Sequence, residues 1–185
     1  MRRAATLSLV LCLAAFAAPA HAQMVNENLL VVVPDGYKID FRDHNDQRLI
    51  NEMVPEAQKV TDWTEMVTVQ IFYHLVATPE QFKSRMESLW AESCANSSSH
   101  VVSFGLENGY PVGVFKLTCP LNKDTGKPEI TWMKAIQGKD SFYVVQKAFK
   151  FEPTDDDVAK WMRYLRRVAV CDSRVPERAC PAAKP

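Results

Sequence analysis

Past residue 22 the 185-residue chain has no apolar stretch that approaches the roughly 20 residues needed to cross a bilayer. It has no CxxC pair and no histidine beside a cysteine at zinc-finger spacing, so no structural metal is expected. Basic runs long enough to hold nucleic acid or an anionic membrane are missing too. No internal repeat, low-complexity block or Gly/Ser linker divides the chain. These absences leave one soluble globular domain with neither a cofactor nor nucleic acid among its expected partners.

What is present first concerns the compartment. Arg2 and Arg3, the apolar run from Leu7 to Phe16, and Ala20-His21-Ala22 form the charged, apolar and small-x-small parts of a signal peptide. Cys12 follows Leu11, which is too bulky for lipoprotein cleavage. We therefore expect residues 1–22 to be a leader, with a periplasmic or secreted mature chain starting near Gln23. Cleavage would leave 22 acidic and 20 basic residues, a net charge of about −2 with histidine neutral.

The mature chain keeps Cys94, Cys119, Cys171 and Cys180. An even count in an oxidising compartment reads as two disulfides, for which spacing alone allows three pairings. Locality favours Cys94–Cys119 and Cys171–Cys180, adding roughly 3.5 and 2.7 kcal/mol on a loop-entropy account. Cys94 also continues an apolar helical stripe, and Cys119 shares a strand face with Phe115 and Leu117. Those two faces are expected to meet. Residues 23–171 form the expected domain and 172–185 a tail pinned by the second bridge.

The element pattern gives the fold class. Leu29–Val33 is a β-branched run stopped by Pro34-Asp35-Gly36, and Tyr37, Ile39 and Phe41 then alternate with polar residues. Arg48–Val54 returns, and Trp63–His74 reads as a central strand. Thr78-Pro79-Glu80-Gln81 is a capping box ahead of Phe82, Met86, Leu89, Trp90 and Cys94 at helical spacing. Asn108-Gly109 joins Val101–Glu107 to Tyr110–Cys119 as a tight hairpin, and Glu129–Gln137 meets Ser141–Phe151 through Gly138-Lys139-Asp140. Thr154 caps a last helix with Val158, Trp161, Met162, Leu165 and Ala169 buried, and Lys160, Arg163, Arg166 and Arg167 wet. The expectation is an α+β fold: a curved antiparallel sheet of six to eight strands carrying a central and a C-terminal helix.

Candidate chemistry is sparse. Ser97-Ser98-Ser99-His100 lacks the GxSxG elbow and reads as a polar loop after the helix. His44 lies between Asp43 and Asp46 in a charged turn, and His74 ends the central strand. A small hydrolase would have to use His44 or His74 with nearby carboxylates. Asp155-Asp156-Asp157 lacks the glycine and distal Glu of a calcium loop and suits a helix start. Asn122–Lys127 lacks GxxxxGK[ST] and reads as a hairpin loop. Lys116, Lys134 and Gln146 alternate with apolar neighbours on the second meander. On one face, with His74 nearby, they would make a polar patch. The candidate ligand-binding residues are thus His74, Trp63, Lys116 and Lys134; no catalytic or metal-binding residue is singled out.

The strings DWTEMVTVQIF and GKPEITWMKAIQGKDSFYVVQKAFKFEP resemble a family of small exported proteins of Gram-negative bacteria, across about Leu30 to Pro153. That family brings no established activity, so the resemblance carries over no functional residue. The layout is also similar to the PsbP-like fold, which implies a binding or accessory module rather than an enzyme. The reading is a periplasmic module that binds a protein partner or a small ligand. Its competitors are the histidine-based hydrolase and a structural component of the envelope.

Overall fold

The computed structural model describes residues 24–181. The leader read at residues 1–22 lies outside the described residues. In chain order the elements are β1 (Glu27–Leu30), β2 (Tyr37–His44), β3 (Arg48–Pro55), β4 (Glu65–Tyr73), α1 (Pro79–Ser93), β5 (Ser98–Glu107) and β6 (Tyr110–Cys119). They continue with β7 (Glu129–Gln137), β8 (Ser141–Phe149), α2 (Asp155–Arg167) and β9 (Ala169–Asp172).

Local chemistry accounts for the boundaries. Asn108 and Gly109 both take positive φ, 49° and 73°, the pair of conformations a two-residue hairpin turn demands. Thr78 accepts from the Gln81 backbone N–H while the Gln81 side chain accepts from the Thr78 N–H, and Pro79 opens α1. Thr154 and Asp157 close the same reciprocal cap on α2.

Seven strands form one antiparallel sheet in the order β2-β3-β4-β8-β7-β6-β5. Two meanders thus lie side by side and join where β4 pairs with β8, from Glu65 opposite Phe149 to Tyr73 opposite Ser141. The α+β expectation holds, and the helices take opposite faces. Phe82, Met86 and Trp90 of α1 cover Phe115, Leu117, Met133 and Phe142. Val158, Trp161, Met162 and Leu165 of α2 cover Val67, Val112, Trp132, Val145 and Phe149. Trp161 and Leu165 are fully buried, and each contributes roughly 2–3 kcal/mol of apolar burial.

Four local expectations shift. The first strand starts and ends earlier than Leu29–Val33, because its partner is β9, which is only four residues long. Ala169 belongs to that strand and not to α2, which ends at Arg167 with Val168 as its cap. Ser98–His100 is not a loop: the hairpin ladder with β6 reaches Ser98 opposite Thr118. Leu89, placed in the buried stripe of α1, is exposed, since only the line Phe82–Met86–Trp90 meets the sheet.

Both expected bridges are present. Cys94–Cys119 has a Cα separation of 5.8 Å and joins the end of α1 to the end of β6. Cys171–Cys180 has a Cα separation of 4.9 Å and ties β9 to the segment after it.

Candidate functional site

The four residues singled out from sequence do not converge. Trp63 precedes β4 and His74 follows it, so eleven steps of extended chain, about 35 Å, separate them. The Lys150 ammonium stands 3.9 Å over the Trp63 ring. His74 is exposed and turns the chain in a left-handed conformation, φ 58°. Lys116 and Lys134 do share a sheet face, the one under α2, while Gln146 lies on the other face with Ala148 and Val144. Lys116 is half-buried, 5.7 Å from the Trp132 ring centre. Lys134 is fully buried and committed: its ammonium donates to the Leu165 and Val168 carbonyls at 3.2 and 2.8 Å and pairs with Glu107. It satisfies the open C-terminal carbonyls of α2.

A second buried lysine was not singled out. Lys147 of β8 donates to Tyr37 Oη at 2.7 Å and to Glu65 Oε2 at 2.6 Å, and lies 3.9 Å over the Trp161 ring. Phe149 and Tyr37 complete the cage, at 4.5 and 4.9 Å. Burial pushes the ammonium down to about 8, although Glu65 pulls the other way. Burial and the same carboxylate push the Tyr37 phenol up. The side chain has no solvent-accessible surface, so a substrate cannot reach it. Its role is to hold α2 on the sheet through Trp161.

The outer side of α2 is different. Residues 31–35, Val-Val-Val-Pro-Asp, leave β1 unpaired and cross the helix as a strap. The Tyr164 hydroxyl donates to the Val32 carbonyl at 2.8 Å and fastens the strap in place. Burial raises that phenol to about 12, so it remains a donor at neutral pH. Two hollows flank the fastening and share Val32, Tyr164 and Arg167 as walls. The larger, about 580 Å³, is lined by Leu29, Leu30, Val31 and Val168. The smaller, about 290 Å³, is rimmed by Lys160 and Arg163, with Asp35 as its one acid.

The groove is therefore apolar at one end and cationic at the other. Lys160, Arg163 and Arg167 stand at i, i+3 and i+7, on one side of the helix. None of the three forms an ion pair among the described residues. No histidine, serine or cysteine lines either hollow. His44, His74 and His100 all stand elsewhere. The arginines were read as a wet helix face, and nothing in their spacing reveals that a strap lies across them. Among the described residues no group of three or more metal-binding side chains comes together. No helix among them is long and apolar enough to cross a membrane.

No family model and no curated relative matches the chain. Fifteen solved chains match it. A point mutant of the protein Mog1 does so with a TM-score of 0.46 and 13% identity, over 74% of this chain and 78% of that one. The Ran-binding protein Mog1p of Saccharomyces cerevisiae matches at 0.44 and 12%, over 76% and 85%. The cyanobacterial PsbP protein (CyanoP) of Synechocystis matches at 0.40 and 9%, over 83% and 95%. The PsbP-like layout read from sequence is thus among the structures matched. At these values the likeness transfers no role to this chain.

Proposed function

We propose that this protein is an exported, non-catalytic binding module whose groove beside α2 takes an amphipathic anion, an alkyl or aryl chain ending in an acid. The observation that carries this reading is the groove itself. An apolar hollow of about 580 Å³ shares Arg167 with a neighbouring hollow rimmed by Lys160 and Arg163. An apolar chain would lie along Leu29, Val31 and Val168, and an acid head would meet the cations. Export is supported by the leader-like residues 1–22 and by two disulfides that need an oxidising compartment.

Calorimetric titration of the mature chain with the straight-chain acids from octanoate to dodecanoate tests it. Each added methylene should tighten binding roughly threefold to fourfold while the apolar wall lasts. Dodecanol should bind more weakly than dodecanoate. The double variant Arg163→Glu/Arg167→Glu should erase that preference for the acid. Equal, length-independent heats for all the ligands would overturn the reading.

A further inference from the structure

The two edges of the seven-stranded sheet are built differently. At one edge β2 carries Lys38, Asp40, Arg42 and Asp43, and a bulge between Ile39 and Phe41 breaks its register. Asp40 also accepts from the Val60 backbone N–H at 2.9 Å, which draws the following loop towards that edge. Charge, bulge and cover are the devices that keep an edge from pairing. At the other edge β5 is ten residues long, Ser-Ser-His-Val-Val-Ser-Phe-Gly-Leu-Glu, with no proline and no lysine. Its one carboxylate, Glu107, is at the very end. Val101, Val102, Phe104 and Leu106 are 41, 46, 37 and 72% exposed.

From these facts we infer that β5 is the interface of a homodimer, two copies pairing it antiparallel about a two-fold axis between Val102 and Ser103. The register supports the position of the axis. Glu107 faces Tyr110 across the two-residue turn, so their backbone groups bond to each other, and in an antiparallel ladder such pairs alternate with outward-pointing ones. Phe104 and Leu106 therefore turn their N–H and C=O groups to the free edge. Register slips by one residue between Val101 and Ser103. Beyond that slip the outward residues are Val101 and Ser99. The outward set is symmetric about the Val102/Ser103 midpoint, and the bulge makes it so. An unbulged strand could pair with itself only about a residue.

In that register Val101 lies opposite Phe104 of the second copy, and Ser99 opposite Leu106. All four face the α1 side, where Phe104 already covers Gly113 and meets Pro79 at the start of α1. The two apolar rows would fuse into one. On the other side Glu107 falls opposite Ser98, with His100 of the second copy diagonal to it, so no like charges meet. The seven strands of each copy would continue as one sheet of fourteen. This inference stands apart from the groove, whose residues it does not use.

Light scattering after size exclusion, on the mature chain from micromolar to near-millimolar concentration, should show a concentration-dependent dimer. The variant Val101→Lys/Leu106→Lys should lose it, with unchanged circular dichroism. A second variant guards against misfolding. Val101→Cys/Phe104→Cys places two thiols that are too far apart along one strand to join each other, and they should cross-link two copies on a non-reducing gel. A monomer throughout, a dimer that survives the lysines, or no cross-link would each overturn the inference.

Discussion

Lys147 and Lys134 look alike in sequence, each a lone cation in an apolar strand, yet they do different work. Lys147 holds an ion pair with Glu65 inside an aromatic cage. Removing only the carboxylate strands a buried charge, so Glu65→Gln should cost about 3–5 kcal/mol in urea unfolding. Replacing both, as Glu65→Leu/Lys147→Met, should recover most of that loss; a double variant as weak as the single one would contradict the cage. The titration has a definite sign. The folded ammonium sits near 8 against an ordinary 10.5, so the unfolded chain binds more protons between those values. The stability Lys147 contributes should therefore rise as pH climbs through that window. Relative to Lys147→Met, the wild-type protein should gain about 1–2 kcal/mol between pH 7 and pH 9.5. An unmoved gap would show that the ammonium is not desolvated. None of this was legible in SFYVVQKAF, because burial of its lysine depends on α2 arriving from elsewhere in the chain.

At the scale of elements, caps and stripes were legible and docking was not. Thr78-Pro79-Glu80-Gln81 and Thr154 announce both helices, since a capping box is local chemistry. β9 was missed because four residues after a helix, Ala-Val-Cys-Asp, carry no period long enough to read. The end of α2 depends on a residue 31 positions away, Lys134, whose ammonium meets the Leu165 carbonyl. Lys134→Met should cost about 1–3 kcal/mol and fray the last turn first, read as faster amide exchange from Arg166 to Val168. Uniform exchange along α2 would assign that ammonium no capping role. The groove escaped notice for the same reason as Lys147. Arg163 and Arg167 form an ordinary wet face until residues 31–35 cross the helix.

For the whole molecule, the bridges divide the labour by loop length. Cys94–Cys119 closes 25 residues and Cys171–Cys180 closes 9. Serine pairs at the first should cost roughly 3.5 kcal/mol and at the second nearer 2.7, each measured by denaturant unfolding. A larger loss from the second would mean that the β1–β9 pair matters more than chain entropy allows. The pairing itself was legible, because the helical phase of Cys94 and the strand phase of Cys119 point at each other.

The β1–β9 pair also fixes an order of events. Glu27 faces Asp172, so the first described strand waits for the last. The centre of the large sheet waits almost as long, since β4 needs β8. Local hairpins can close early, but nothing locks them together until the chain is nearly complete. Such a fold favours staying open until nearly the whole chain is available and then closing all at once.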